Sequence, residues 1–298
     1  MRILVTGAAG LVGSNLCHKL VELGYDVTGI DNLQFGYEKN LPKGMNFFHR
    51  GIHQFHYEVN NYDVLVSCHT ANIIYAINNP IATWETNCID TVELFSRFRG
   101  KIIYTSTSSI YGDSDTLPTP EDAPLKMTNA YARSKYVAEL FLKDRGNYTT
   151  LRLTNTYGRF QYSDHPFSGV MGKLIGNSLK GEKSVIYGDG SQTRDFVYVD
   201  DVADAIIKVI DLPTLNTEIN IGTGKETSIN ELVEAVKEVI PSMAVECVEG
   251  RPIDNINRRC LDIKKAEQLL NWLPRTDVKE GIKLMVEWLS LSPTTCQK

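Results

Sequence analysis

The sequence predicts an α/β fold in which a Rossmann-type, doubly wound parallel sheet is followed by a smaller C-terminal domain. Two observations support this prediction. Short apolar runs alternate with stretches of helical periodicity through the first half of the chain, as expected for buried parallel strands joined by helices. The length of 298 residues also exceeds what one small core requires. We expect residues 1–170, with return segments near 192–224, to form the first domain, and residues 171–298 to form most of the second.

The apolar runs mark the strands of the predicted sheet. They are Ile3–Val5, Val27–Ile30, Val64–Val66, Ile102–Tyr104, Leu151–Leu153 and, later in the chain, Ile219–Ile221. Between the first two runs, Val12, Leu16 and Leu20 recur at helical spacing, and Gly24 ends the predicted helix. Strands separated by helices imply right-handed crossovers and therefore a parallel sheet.

The second half of the chain carries weaker signals. Helices are expected near residues 229–239 and 263–270. The stretch 178–190 is polar and contains glycines, so we predict a loop there. The polar tail 292–298 is expected to fray.

Bulk composition excludes several classes of protein. A formal net charge of −5 provides no field to hold a nucleic-acid backbone. No apolar run approaches the roughly 18 residues that a membrane span requires. The sequence from Met1 enters a strand without a leader-like segment, so we expect a cytoplasmic protein. The six cysteines form no CxxC pair, and we therefore expect neither a metal site nor a disulfide framework.

A glycine-rich turn follows the first strand directly. Gly7, Gly10 and Gly13 are spaced as a GxxGxxG element between a predicted strand and a predicted helix. The first glycine permits the tight turn, the second lets the backbone approach a pyrophosphate, and the third lets helix and strand pack closely. Leu11 and Val12 would offer amide groups at the helix amino terminus. This context predicts a dinucleotide site.

The second strand ends in an acidic residue. A carboxylate at Asp31, followed by Asn32, can accept hydrogen bonds from both hydroxyls of an adenosine ribose and would repel a 2′-phosphate. The position therefore favours NAD over NADP. The alternative for Asp31 is helix capping.

A tyrosine and a lysine stand four residues apart in a predicted helix. Tyr131 and Lys135 would share one helix face. A free tyrosine has a pKa of about 10, and a neighbouring ammonium would favour the phenolate that general-base chemistry needs. Upstream, the strand ending near Thr107 opens into a cluster of hydroxyls at the edge of the sheet where ligands bind. Thr107 could hydrogen-bond a substrate hydroxyl, or it could serve as a cap or turn residue.

With these motifs in order, the chain resembles the extended short-chain dehydrogenase/reductase family, within it the nucleotide-sugar epimerase and dehydratase group. The resemblance spans residues 1 to about 288. The motifs that carry it are Gly7–Gly13, Asp31–Asn32, Asn79–Pro80, Thr86–Asn87, Ser106–Asp113, Tyr131–Lys135, Thr154–Gly158, Tyr187–Asp201, Asn220–Gly224 and Gly250–Asp254.

The resemblance implies roles residue by residue. It implies a first domain that binds NAD and a second that binds a nucleotide-diphosphate sugar. The implied catalytic residues are Thr107, Tyr131 and Lys135. The implied cofactor contacts are Gly7, Gly10, Leu11, Val12, Gly13, Asp31, Asn32, Asn87, Thr105, Tyr131 and Lys135. The implied substrate contacts are Thr107, Asn155, Tyr187, Arg194 and Arg251. The two guanidinium groups suit a diphosphate, although a surface ion pair is the alternative for each arginine. The group also implies a homodimer.

The chain departs from the family pattern in several places, one of which is Thr154, where an aromatic residue usually precedes the substrate asparagine. The stretch Ser67–Ala71 alters the wall expected beside the nicotinamide. The element that meets the adenine, at Gly51–Ile52, lacks its aspartate. Arg258 and Arg259 fall near a position that gates sugar substituents, and either could face the pocket or the solvent.

The residues after Thr107 bear on the reaction. Related dehydratases and decarboxylases carry acids there, whereas Ser108 and Ser109 cannot act as acids at neutral pH. We therefore predict an NAD-dependent nucleotide-sugar 4-epimerase, with a UDP-hexose favoured and a transient 4-keto sugar. The alternatives are a 4,6-dehydratase, a 4-keto-sugar reductase, or a non-catalytic NAD-binding sensor.

Overall fold

A computed structural model describes residues 1–55, 58–250 and 256–291. The strands are β1 Arg2–Thr6, β2 Asp26–Asp31, β3 Asn46–His49, β4 Val64–Ser67, β5 Lys101–Thr107, β6 Tyr148–Leu153, β7 Asn155–Tyr157, β8 Ser184–Tyr187, β9 Thr193–Arg194, β10 Phe196–Tyr198, β11 Thr217–Ile221, β12 Thr227–Ser228 and β13 Val245–Val248. Seven of them form a central parallel sheet with the strand order β11-β6-β5-β4-β1-β2-β3. The predicted fold class is confirmed.

Helices connect these strands. They are α1 Leu11–Glu22, α2 Ile73–Asn78, α3 Pro80–Trp84, α4 Thr91–Arg97, α5 Ala130–Arg145, α6 Val170–Leu179, α7 Val199–Asp211, α8 Ile229–Val239, α9 Lys264–Leu270 and α10 Val278–Leu291. Short 3₁₀ turns occupy Glu38–Asn40, Ile52–Gln54, Val59–Asn61 and Ser108–Tyr111, and a π-helical turn, Glu85–Asp90, joins α3 to α4. No helix in the described ranges is both long and apolar enough to span a bilayer.

The strand order reverses between β1 and β4. The chain runs outward from β1 through β2 to β3 and then returns to β4 on the other side of β1. Open α/β sheets bind ligands in the crevice that such a reversal leaves at the carboxyl ends of the strands. This topology predicts a functional site at the carboxyl ends of β1, β2, β4 and β5.

Two large apolar clusters lie in different parts of the fold. One combines the inner strands with α1 and α7, and another combines α6, α8 and α10 with β8 and β10. Helix α7 carries a wide apolar face (Val202, Ile206, Val209) at helical spacing, and all three side chains are fully buried in the first cluster.

The predicted loop at 178–190 is wrong in part. Ser184–Tyr187 forms β8, which pairs in parallel with β13. Along β8 the side chains alternate between buried (Ser184, Ile186) and exposed (Val185, Tyr187). The strand was missed because it is short and flanked by charged and glycine residues, so its period of two is hard to distinguish from a polar loop.

Candidate functional site

A cavity of about 550 Å³ runs along the carboxyl ends of the strands. Most of the predicted cofactor and catalytic residues line it: Gly7, Gly10, Leu11, Val12, Gly13, Asp31, Asn32, Thr105, Thr107, Tyr131 and Lys135. The cavity therefore joins the glycine-rich turn, the acidic end of β2 and the Tyr–Lys helix into one continuous site.

The glycine-rich turn has no room for larger side chains. Gly7 has a φ of +67°, and a Cβ there would lie 2.5 Å from the backbone nitrogen of His69. A Cβ on Gly13 would lie 2.1 Å from the carbonyl oxygen of Gly7. Gly10 caps α1 without a side-chain hydrogen bond, which leaves the first amide groups of the helix for an anionic ligand. The turn fits the pyrophosphate of a dinucleotide.

Asp31 is positioned by backbone amides. Its Oδ2 accepts a hydrogen bond from the amide of Ala9 (3.0 Å), and its Oδ1 accepts one from the amide of Leu33 (2.8 Å). Burial raises the pKa of Asp31, and these two hydrogen bonds oppose that effect. The carboxylate is fixed at the end of β2, where it can accept hydrogen bonds from ribose hydroxyls.

Helix α5 carries Tyr131 and Lys135 on the cavity wall. Its amino terminus is fixed by Asn129, whose side chain accepts a hydrogen bond from the amide of Ala132 (2.8 Å). Lys135 is 2% exposed, and burial lowers the pKa of its ammonium to about 7. Its Nζ lies 4.2 Å from the centroid of the Tyr104 ring, which partly compensates for the lost hydration.

Thr107 is the last residue of β5 and also lines the cavity. Its hydroxyl oxygen accepts a hydrogen bond from the amide of Ser109 (3.1 Å). Ser108 and Ser109 are buried and, unlike Thr107, do not line the cavity. The position next to the candidate catalytic hydroxyl therefore supplies no carboxylate.

A buried polar network includes Glu139 of α5. The Arg152 guanidinium pairs with Glu139 (2.8 Å), and their side chains are 3% and 0% exposed. Burial opposes the charge on Arg152, but the carboxylate of Glu139 outweighs it and raises the pKa of the guanidinium. Glu139 also accepts a hydrogen bond from Ser106 of the cavity wall, and Arg152 donates to the hydroxyl of Tyr111 (2.8 Å).

The altered stretch after β4 brings a histidine to the cavity wall. The Nδ1 of His69 lies 2.7 Å from the Thr6 hydroxyl, and its Nε2 lies 2.8 Å from the Thr91 hydroxyl. Thr91 donates its own proton to the carbonyl of Thr86 (2.8 Å). Its oxygen therefore accepts from Nε2–H. Burial lowers the pKa of the ring and so favours the neutral form, in which Nδ1 accepts from the Thr6 hydroxyl.

This neutral ring should make stability depend on pH. Burial lowers the pKa of His69 from 6.5 to about 3. Between these values the unfolded chain binds a proton that the native protein does not, so His69 makes the free energy of unfolding fall as the pH drops below about 6.5. Urea unfolding at pH 7 and pH 5 should show a loss on the order of 2 kcal/mol that His69→Gln largely removes. Equal losses in both proteins would contradict the assignment.

Some predicted residues lie away from the cavity wall. The Asn87 side chain is 1% exposed; it accepts from the amide of Ala71 (2.7 Å) and donates to the carbonyl of the same residue (2.9 Å). Asn87 therefore hydrogen-bonds the backbone of the segment at Ala71 and does not itself line the cavity. Asn155 begins β7, and Tyr187 is 37% exposed on β8; neither lines the cavity.

The predicted arginines differ in placement. Arg194 is buried and also lies off the cavity wall; it donates to the carbonyls of Thr193 (2.8 Å) and Ile256 (2.9 Å). Arg251 lies outside the described residues. Arg258 is exposed and pairs with Glu226, whereas Arg259 is 5% exposed.

A group of aromatic residues at the cavity was missed by the sequence analysis, and four of its members (Phe35, Tyr37, Tyr162 and Phe167) line the wall. The rings of Phe35, Tyr75 and Phe167 contact one another edge to face, with centroids 5.0 to 5.5 Å apart. Tyr37 contacts Tyr162 in the same way, at 5.4 Å. These contacts join the stretch after β2 to the stretch before α6 across the cavity. The available signal was the density of aromatic residues in both stretches.

Comparison with known proteins agrees with this geometry. The NAD dependent epimerase/dehydratase family matches residues 3–222. A Methanocaldococcus jannaschii protein named "Putative UDP-glucose 4-epimerase" is 38% identical over 303 residues, which cover 96% of this chain and 98% of that protein. UDP-glucuronic acid decarboxylase 3 of Arabidopsis thaliana is 34% identical, with 96% and 88% covered. The solved UDP-glucose 4-epimerase of Thermotoga maritima, with UDP-glucose, has a TM-score of 0.91 and 32% identity, with 97% and 99% covered.

Proposed function

Since the chain belongs to the NAD-dependent epimerase/dehydratase family, we propose that it is a nucleotide-sugar 4-epimerase acting on a UDP-hexose. The observation that most directly supports epimerisation over elimination is the pair Ser108 and Ser109 beside Thr107. Elimination of the C6 hydroxyl needs an acid near that group, and neither serine can provide one at neutral pH. Inversion at C4 needs only one base, a hydride acceptor and room for the sugar to turn.

The residues of the cavity have distinct roles in this proposal. Tyr131 takes the proton from the sugar O4 and later returns it, and Thr107 holds that hydroxyl by a hydrogen bond. Lys135, in its protonated form, favours the phenolate through its charge. When bound, NAD supplies the removal and return of hydride at C4. Rotation of the 4-keto sugar between these two events exposes its other face.

The relatives include enzymes with other reactions. The similarity to a UDP-glucuronic acid decarboxylase covers 96% of the chain, but the serines after Thr107 disfavour both decarboxylation and dehydration. A 4-keto-sugar reductase would commonly use NADPH, which Asp31 would repel. A sensor without catalysis would not need both Tyr131 and Lys135, which face the cavity together.

The function is tested by a screen of nucleotide-linked hexoses. Each sugar is incubated with purified protein without added reductant, and the product stereochemistry is read by NMR. We expect a product inverted at C4 and no net change in absorbance near 340 nm. A 4-keto-6-deoxy product, or a pentose from a uronate, would overturn the choice of reaction.

We also propose a homodimer through α2, α3 and α5. These helices expose Ile77 (40%), Ile81 (75%) and Leu140 (42%), and α3 packs directly beside α5. A charge inside such an apolar interface is strongly disfavoured. We expect Ile81→Asp with Leu140→Asp to be monomeric by light scattering. The control Leu23→Asp changes a residue that is 61% exposed after α1 and should remain dimeric; a monomeric unmodified protein would contradict the proposal.

A further inference from the structure

The cavity extends beyond Asp31 to the residues that follow β3. On one side lie the residues that follow β3, with Ile52 and His53 on the wall. On the other side lies Asp90, the last residue of the π-helical turn between α3 and α4. The Oδ2 of Asp90 is 3.7 Å from the Nδ1 of His53, so the two walls meet at this end.

The π-helical turn positions the carboxylate of Asp90 at this end of the cavity. Such a turn adds a residue to a helix and is frequent at functional sites. Here the hydroxyl of Thr91 donates to the carbonyl of Thr86, five residues earlier, and the same hydroxyl accepts from His69. These bonds fix the turn. The Asp90 side chain is only 23% exposed, so it is a partly shielded carboxylate and not a freely solvated one.

The order of the binding groups along the cavity indicates which part of a dinucleotide would reach this end. The turn at Gly10 fits the phosphates, and Asp31 suits the ribose of the adenosine half. The base attached to that ribose would therefore lie farther from Gly10, in the part of the cavity lined by Ile52 and Asp90. Ile52, which is 8% exposed, offers an apolar surface to a flat ring. Adenine carries an amino group at C6, which is a donor and needs an acceptor when it is buried.

We propose that Asp90 accepts a hydrogen bond from the 6-amino group of adenine and so determines the base specificity of the cofactor site. In this chain Ile52, and not an aspartate, directly follows Gly51. Asp90 supplies a carboxylate from the opposite wall. A base with a carbonyl at C6 would face the carboxylate with an acceptor, and the two would repel each other. The proposal depends on NAD binding and is independent of the sugar chemistry.

The test compares two dinucleotides that differ at C6. Protein freed of bound nucleotide is titrated calorimetrically with NAD and with nicotinamide hypoxanthine dinucleotide, which has a carbonyl in place of the amino group. Because a hydrogen bond to a charged group is involved, we expect the native protein to favour NAD by about tenfold to a hundredfold. Asp90→Ala should reduce this ratio to near one. Asp90→Asn, whose amide can also donate, should improve binding of the hypoxanthine analogue.

A nearby carboxylate serves as the control. Glu93 lies one turn later, pairs with Arg97 at 2.8 Å and does not line the cavity. Glu93→Gln removes the same charge and should retain the native ratio. Because each ratio is measured on one variant, a general loss of affinity cancels. A native ratio in both Asp90 variants would overturn the proposal, whatever the outcome of the sugar screen.

Discussion

Tyr131→Phe should reduce turnover of the nucleotide sugar by about a thousandfold, within the range typical of a lost general base. The substitution keeps the ring and removes only the hydroxyl that exchanges a proton with O4. Because the residue lies on the wall of a preformed cavity, we expect little change in NAD affinity. Initial rates at saturating sugar and calorimetric NAD binding measure the two effects separately.

The same helix supplies a matched control. Tyr136 lies five residues beyond Tyr131, is partly buried against another cluster and does not line the cavity. Tyr136→Phe removes an equivalent hydroxyl and should leave turnover within about twofold of native, as expected for a hydroxyl remote from the chemistry. If Tyr131→Phe retained more than a tenth of the native rate, the phenol would not be the base.

Arg152→Met should lower the free energy of unfolding by about 3–5 kcal/mol, because it leaves the charge of Glu139 buried without its partner. Glu139→Gln should have an effect of similar size for the reciprocal reason. The pair is almost completely buried, at 3% and 0% exposure, so solvent screens it little. Urea denaturation monitored by circular dichroism measures both losses.

Combining the two substitutions gives a sharper test. Once neither charge is present, the double variant should lose clearly less than the sum of the single variants. The exposed pair of Lys237 and Glu234, 2.8 Å apart, provides the comparison, and Lys237→Met should cost no more than about 0.5 kcal/mol. Single variants within 1 kcal/mol of native would show that Arg152 and Glu139 are not coupled as the structure indicates.

Much of the sheet and of the cofactor site could be predicted from local signals. The glycine-rich turn, Asp31 and the pair Tyr131 and Lys135 each follow or begin a regular element, and the register of the element determines where they face. The placement of Thr107 followed from the same rule, since parallel strands end at one edge of the sheet.

Other features depend on contacts between distant parts of the chain. β8 exists because it pairs with β13, about sixty residues later, and nothing local marks either strand strongly. Asn87 was assigned to the cofactor by resemblance, but its amide faces Ala71. The position of Asp90 depends on a π-helical turn, and such turns have no reliable signature in sequence.

The edge-to-face rings that join the stretch after β2 to the stretch before α6 would affect how long a cofactor stays in place. Each such contact contributes about 0.5–1.5 kcal/mol beyond the apolar area it buries, and Phe35, Tyr75 and Phe167 make three of them among themselves. These contacts would resist separation of the stretch after β2 from the stretch before α6, and a sugar reaction that restores the cofactor to its starting oxidation state requires no departure of the cofactor. We therefore expect one NAD molecule to serve many catalytic cycles before it exchanges with the surrounding pool.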